Sequence, residues 1–581
     1  MASAPSTSGI ELKPAPKRYQ GEQDKARPPE ETVAWVRERF ADLGQEILRS
    51  VVRIDTGRLD IPVYISICGD RAKGLTGTQK QMGKGASPIQ AEASALMELA
   101  ERFSFFSFIK TTDFPLLRAP QAGEGAMDFA QAAKAVYHPA DDLARARAVY
   151  DLLPQTWAWA RNLNQDRDER LPLSWFYAIN EYNGPAAGNC LEEAVLQSLC
   201  EVVERHISAV VTLEQRPTPA IDPASVDDPI AAGLIAKFKA AGIEVFLKDF
   251  TCGMGIPSVA ALCYDPATFP HSSEIVYAAG TATSPAMALI RALTEVAQLA
   301  GDFKTHTNYL VSALPKFQTL EEAEYVTRAA GVAPLDSLPD VSAPDFKDEL
   351  DNCVAALDQR GFTVYSINVT HPELQVPSVY TIMPGAHFAY RTTGTDVIFH
   401  AAKAASQLDD PVLALDVLNQ MLEVAGQSYY LEFFRGLALM SLERPEEALE
   451  ALDNALGLDP PASDEASIHT HRGAALKDLE RYQEAKQALR KAASFDEPHT
   501  EVFNLLGFCH YMLKEHEQAI EAFGRAIELA PGEAINYANI GSNLREMGQI
   551  AEACRMYEHA LELDPDLGFA RDNLEKLKQQ L

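Results

Sequence analysis

Five polar residues recur along one otherwise apolar stretch, GNCLEEAVLQSLCEVVERH: Asn189, Glu193, Gln197, Glu201 and Glu204. At about 100° per residue they fall within roughly a third of a helix circumference. The remaining positions are mostly Cys190, Leu191, Ala194, Val195, Leu196, Leu199, Cys200, Val202 and Val203. A helix apolar around most of its girth is buried, so its carboxylates face an internal cleft rather than bulk water. Carboxylates in one file repel each other, and buried charges need partners. A hard cation is the simplest partner, and Mg²⁺ with phosphate suits an all-oxygen site.

Two further segments share this grammar. One carries Ser94, Glu98 and Glu101 followed by Arg102; the other carries Arg291, Glu295 and Gln298. Offsets of four and seven place each trio on one helix face. The string E-x-x-E-R occurs twice, at Glu98–Arg102 and Glu201–Arg205. Gly83-Lys84-Gly85 precedes the first helix; its glycines allow close backbone approach and its lysine offers a charge to phosphate. Each motif alone has a plainer reading. Asn189 with Glu192 fits a capping box, the Glu-Arg pairs fit surface ion pairs, and GKG is not a P-loop. Core packing, however, gives no reason for Glu at five such positions.

The elements that must position these residues are readable in outline. Residues 31–47 form an amphipathic helix ending near Gly44. Ser87-Pro88 and Ser284-Pro285 open helices over 87–109 and 284–303, as N-cap and first-turn pairs. Apolar runs predict strands at 61–69, 243–250, 257–264, 274–280 and 362–369. Residues 31–390 therefore read as one α/β or α+β domain. Residues 1–30, rich in Pro, Ser, Ala and charge, read as a flexible tail.

The C-terminal third repeats itself. Gly436, Gly473, Gly507 and Gly541 are each followed by alanines twelve and nineteen residues later, with Pro460, Pro498, Pro531 and Pro565 ending the units. The glycine spacings are 37, 34 and 34 residues. This resembles the tetratricopeptide repeat, a helical hairpin whose small residues let two helices touch. A degenerate unit precedes the four clear ones, with Ala414 at the equivalent alanine, so 391–581 reads as an all-α solenoid ending in a charged cap that runs to Leu581.

The net charge of -31 argues against non-specific nucleic-acid binding and against anionic membranes. No apolar run approaches the roughly 18 residues of a membrane span. The eight cysteines are scattered without a CxxC pair, as expected for reduced thiols in a cytoplasm. Residues 391–581 hold 33 acidic and 17 basic residues. That composition fits either a surface for a basic partner or a solvated face.

At the striped helices the chain resembles the YcaO family. Its members carry GKG…SAxxE…ER, then N-x3-E-x3-Q-x3-E-x2-ER, then a late R-A-x-x-E-x-x-Q. Here these read GKGASPIQAEASALMELAER, NCLEEAVLQSLCEVVER and RALTEVAQ. The resemblance spans roughly 25–390 and implies an α/β domain of the family's own type that binds ATP without a Walker motif. By position it implies that Glu98, Glu101, Glu193, Glu201 and Glu204 hold Mg²⁺. Ser94, Asn189, Gln197, Arg205 and Arg291 would touch nucleotide, as would Lys25 and Thr32 of KARPPEET; Lys84 joins them from the GKG reading.

The implied chemistry is activation of a peptide or protein amide by the γ-phosphoryl of ATP. An azoline or a thioamide then forms, or ribosomal-protein methylthiolation is supported. The chain ends in a repeat helix rather than the proline-rich tail of azoline-forming members, so the catalytic base is not identified. A partner protein for client recruitment or sulfur delivery, and a homodimer, belong to the same expectation. The alternative is a non-catalytic scaffold that recruits a client through its repeats, with a regulatory nucleotide site.

Overall fold

Ser87 accepts a hydrogen bond from the Gln90 amide and opens a 24-residue helix, Pro88–Thr111. The computed structural model describes residues 2–55, 58–136, 142–271, 273–300, 303, 317–388, 396–495 and 499–579. The expected helices appear as Pro29–Asp42, Pro88–Thr111, Leu191–Glu214 and Pro285–Ala300. Residues 301 and 302, at the end of the last expected helix, lie outside the described residues.

The strands read from apolar runs are present with trimmed ends, as Val63–Cys68, Glu244–Asp249, Ser258–Tyr264, Val276–Thr281 and Tyr365–Asn368. They fall in three sheets. Leu48–Arg53, Val63–Cys68 and Lys80–Lys84 form an antiparallel trio. Val276–Thr281, Ser258–Tyr264 and Glu244–Asp249 pair antiparallel in a five-stranded sheet. Gln155–Asn162, Tyr365–Asn368 and Ser378–Ile382 pair antiparallel in a six-stranded one.

Two glycines set how closely helix meets sheet. A Cβ on Gly83 would lie 2.0 Å from the Ala95 amide nitrogen, and one on Gly280 2.4 Å from that of Ala292. The Pro88–Thr111 and Pro285–Ala300 helices therefore rest directly on strand backbone. Gly83 belongs to the strand Lys80–Lys84. The close backbone approach expected of Gly83-Lys84-Gly85 is made by Gly83 to a helix, not to a ligand. Apolar backs fill the space between layers. Leu199, Val203 and Ile207 pack with Phe250, Leu350 and Val379; Leu289, Leu293 and Val296 pack with Phe238 and Val259.

The expectation of a flexible tail is corrected. Ile10 is buried in the core. Ser8 donates to Asp168 through both its amide, at 3.0 Å, and its hydroxyl, at 2.6 Å. Lys17 bridges Asp24 at 2.7 Å and Glu349 at 2.5 Å. Composition suggested disorder because the segment is polar, but its polar groups find buried partners far along the chain.

The chain divides into two units, Met1–Asp141 with Pro154–Val397, and Asp142–Leu153 with Ile398–Leu581. The expected boundary at 390/391 lies outside the described residues. Asp142–Leu153, expected in the first domain, clusters with the solenoid: Arg145 donates to the Ala425 carbonyl at 3.4 Å.

The solenoid repeats antiparallel hairpins, Tyr429–Ser441 with Pro445–Leu456 and onward to Gly568–Lys578. The degenerate unit is Val397–Ser406 with Pro411–Ala425. Each repeat glycine faces the residue sixteen later: Gly436 Leu452, Gly473 Leu489, Gly507 Phe523 and Gly541 Tyr557. The repeat alanines, including Ala448, Ala485, Ala519 and Ala553, are fully buried. Pro498 and the terminus at Leu581 lie outside the described residues.

Gly83→Ala is expected to destabilise the chain by about 1–3 kcal/mol through overpacking. Gly233→Ala, in a helix where a Cβ meets nothing within 4 Å, is expected to gain roughly 0.5–1 kcal/mol. Denaturant titration separates the two.

His400 is buried on the solenoid side, and desolvation, helped by Lys403, pulls its pKa down to about 4. Its folded pKa lies below the unfolded value, so the unfolded chain binds the extra proton. Its contribution is complete above about pH 6.5 and is lost as pH falls towards 4, roughly 3 kcal/mol in all. Stability measured against pH in wild type and His400→Phe is expected to differ by that acid limb.

Candidate active site

Three helices and the N-terminal segment enclose one cavity of about 310 Å³, within the roughly 300–1,000 Å³ of small-molecule sites. Pro88–Thr111 contributes Ser94, Glu98 and Glu101 to its lining. Leu191–Glu214 and the residue before its N-cap contribute Asn189, Glu193, Gln197, Glu201, Glu204 and Arg205. Pro285–Ala300 contributes Arg291, Lys80–Lys84 contributes Lys84, and the N-terminal region contributes Lys25 and Thr32. The geometry thus brings together all thirteen residues singled out in the sequence.

The cavity has two chemically distinct groups of partners. In one, Glu193 accepts from the Ala26 amide at 2.9 Å and from Asn189 Nδ2 at 3.1 Å, with Lys25 Nζ at 3.3 Å. Thr32 Oγ1 donates to Asn189 Oδ1 at 2.8 Å. Asn189 is therefore not a helix cap; Cys190 holds that position without a side-chain hydrogen bond.

The other group is dense in charge. Arg102 Nε donates to Glu98 at 3.0 Å and lies 3.3 Å from Glu101. Glu204 accepts from the Thr281 amide at 3.0 Å and lies 3.8 Å from Arg291, which donates to Gln197 Oε1 at 2.8 Å. Arg205 is 4.0 Å from Glu201, and Lys84 pairs with Glu295.

Burial acts on these charges as it must in a poorly solvated site. Desolvation, then the neighbouring Glu98, holds the Glu101 carboxyl well above the usual range, with Arg102 opposing. Desolvation also raises Glu201, against Arg205 and Arg102. Lys84 is pulled down to about 8 by desolvation and by Arg291. Glu101 Oε1 and Arg291 Nε are buried and receive or make no hydrogen bond.

Among the described residues no three acidic, His or Cys side chains converge into a ready-made metal shell. The fit to Mg²⁺ rests on the donor set, which is all carboxylate and amide oxygen, and on Glu101, whose Oε1 receives no hydrogen bond and lies among Glu98 and Glu201 with Arg102 at 3.3 Å. A divalent cation would relieve both.

Five polar lining residues were not among the thirteen: Gln23, Gln90, Arg102, Glu295 and Gln298. Arg102, Glu295 and Gln298 stood on the striped helices and were legible there. Gln90 and Gln23 carried no sequence signal. Glu22, beside Gln23, was missed as well. Its carboxylate takes hydrogen bonds from the Ala86 amide, the Ser87 hydroxyl and, at 3.0 Å, the Ser87 amide. The N-terminus of Pro88–Thr111 thus already holds an anion supplied by the chain itself.

Among the described residues no helix is long and apolar enough to cross a membrane. Tetratricopeptide-repeat models match residues 433–461, 466–499 and 499–566.

An uncharacterized protein of Methanothermobacter thermautotrophicus is 28% identical over 384 residues, covering 61% of this chain and 93% of that one. The ribosomal protein S12 methylthiotransferase accessory factor YcaO of Escherichia coli is 27% identical over 250 residues, covering 38% of this chain and 40% of that one. A heterocyclase solved in complex with substrate and cofactor shares the fold at a TM-score of 0.53 and 21% identity, covering 67% of this chain and 55% of that one. The model of the YcaO cyclodehydratase family, described as binding ATP and Mg²⁺, matches residues 82–387, more than half of the sequence. The chain belongs to the YcaO family, and its cofactors are ATP and Mg²⁺.

Proposed function

We propose that this chain uses ATP to phosphorylate a backbone amide of a peptide or protein client, preparing it for azoline or thioamide formation. The observation that carries this reading is the convergence of Glu98, Glu101, Glu201 and Glu204 with Lys84, Arg102, Arg205 and Arg291 in one cavity. Phosphoryl transfer needs positioning and charge neutralisation more than covalent help from the protein, and this set provides both. An amide oxygen is a poor leaving group; once phosphorylated it departs as phosphate when a nucleophile adds at the carbonyl carbon. A Cys, Ser or Thr side chain of the client would close an azoline, and exogenous sulfide would leave a thioamide.

The side chains divide the work. Glu98, Glu101, Glu201 and Glu204 would hold Mg²⁺, which when bound neutralises phosphate charge. Glu295 joins them in this reading, since it lines the same cavity and pairs with Lys84. Arg291, fixed by Gln197, and Arg205 would orient phosphate oxygens. Glu193 takes a different role from the metal ligation implied by resemblance. Eight residues separate it from Glu201, about 12 Å along a helix, whereas ligands of one Mg²⁺ each lie about 2.1 Å from it. Its oxygens are already engaged by Ala26, Asn189 and Lys25. It would hold the base or ribose side of the nucleotide together with Lys25, Thr32 and Asn189. The repeats would recruit the client or a partner protein.

Glu201→Gln is expected to lower ATP turnover to ADP and phosphate on the order of 10²-fold, with the folded state intact by circular dichroism. Unchanged turnover in that variant sinks the reading. Glu193→Gln is expected to raise KM for ATP while leaving kcat within about threefold, as loss of uniform binding does. Mass spectrometry of candidate peptides incubated with enzyme, ATP and Mg²⁺ distinguishes the products. Loss of water marks an azoline, and exchange of oxygen for sulfur marks a thioamide.

A further inference from the structure

A second cavity, of about 60 Å³, adjoins the first. Gln23, Lys25, Glu193, Gln197 and Arg291 line both, so the two share a wall. Part of the second is apolar, made by Leu196, Ala282, Met287 and Phe346. It also holds Glu349, from the first turn of the helix Phe346–Asp358. At roughly 10–15 Å³ for one water, the space suits a side chain of a few heavy atoms and is too small for a nucleotide base or sugar.

Glu349 is 1% exposed. All three of its protein donors converge on Oε1: Lys17 Nζ at 2.5 Å, Thr283 Oγ1 at 2.7 Å and the Ala343 amide at 3.2 Å. Among the described residues Oε2 receives no hydrogen bond, and unlike Glu101 Oε1 it is not sealed off. Bulk solvent does not reach the residue, so the surface Oε2 keeps is that of the cavity. A carboxylate only accepts, and its two oxygens are equivalent. Exchanging them therefore still leaves one oxygen without a donor.

The lining sets the chemistry of what would fill this space. It must bring a hydrogen-bond donor to Oε2. It needs no net charge, since Asp24, Glu193 and Glu349 are balanced by Lys17, Lys25 and Arg291 around the cavity. It must be short, with an alkyl stem to meet the apolar side. A thiol or hydroxyl on one or two carbons satisfies all three conditions. Gln197 and Arg291 stand in the shared wall, so such a group would lie beside the phosphate oxygens assigned to them above.

We propose that the second cavity receives the client side chain next to the activated amide, a cysteine, serine or threonine, whose S–H or O–H donates to Glu349 Oε2. It rests on the reading of the first cavity as the amide-phosphorylating site, and adds where the client residue is recognised and by which group. Lys17 and Thr283 are positioning residues: by occupying Oε1 they leave Oε2 to the client.

Saturation-transfer NMR on the full chain with Mg²⁺ and a non-hydrolysable ATP analogue tests this. The probes are N-acetyl-glycyl-cysteine methylamide, its serine counterpart, and its 2-aminobutyrate counterpart, in which a methyl replaces the thiol. Wild type is expected to bind the first two about tenfold more tightly than the third, as one hydrogen bond to a buried carboxylate predicts. Glu349→Gln keeps an oxygen for Lys17 and turns its amide nitrogen to the cavity; it is expected to cut the cysteine preference to within about twofold. Its affinity for the ATP analogue is expected to be unchanged. Ala282→Val narrows the cavity without altering charge and is expected to lose the cysteine preference too; it decides the matter if Glu349→Gln does not fold. Equal wild-type affinity for the cysteine and aminobutyrate probes overturns the assignment. So does a cysteine preference that survives in either folded variant, or binding of no probe at millimolar concentration. If the ATP analogue itself does not bind, the amide-phosphorylating reading falls; if it binds and the probes are not discriminated, only the role of Glu349 falls.

Discussion

Charge without solvent is the constraint on which the rest of the first unit depends. Glu101, Glu193 and Glu204 are each less than a tenth exposed, and carboxylates in such a place need partners nearby. The chain supplies them as Arg102, next to Glu101 on the same helix, and as Lys25 and Arg291, which only the folded arrangement brings near. Breaking such a group by removing one partner leaves a buried charge behind, which costs far more than an exposed ion pair contributes. The apolar backs of the helices and the strand glycines keep the site dry and rigid, because Gly83 and Gly280 let helices sit on sheet backbone without an intervening side chain.

The N-terminal segment meets the same constraint from outside the residues that the family model matches. Lys17 is buried between Asp24 and Glu349, and Glu22 neutralises the positive end of a wall helix. Between and beside these anchors the segment delivers Gln23 and Lys25 to the cavity. A stretch that composition marks as disordered becomes part of the site's wall because every charge it carries inward meets an opposite charge or a helix end.

The solenoid is held together by a different rule, small residues that let helices touch. Its acidic excess is shared between the connections and some second helices, as with Glu446, Glu447, Glu450 and Asp453 or Glu517, Glu521 and Glu528, whereas Tyr482–Ala492 sets Glu484 against Lys486, Arg490 and Lys491. The first helices mix signs, as with Arg472, Lys477 and Asp478. Charge count alone therefore does not describe one continuous acidic binding face.

Periodicity determined much of this protein by itself. The stripe from Asn189 to Glu204, its two companions and the glycine-alanine code are local patterns, and helical geometry converts them directly into faces. That is why the thirteen residues chosen from them line one cavity, and why the hairpins fall where the glycines place them. What only the tertiary structure decided is what each polar group meets. The glycines of GKG allow a close backbone approach, and only the fold shows that Gly83 makes it to the Ala95 backbone. Glu193 looks like its neighbours on the stripe until Ala26 and Lys25 are seen to engage it. Gln90, Gln23 and Glu22 have no periodic signature, since their partners lie some 65 residues away in sequence. Spacing along a helix fixes direction, but the distance between distant segments is set only when the core closes.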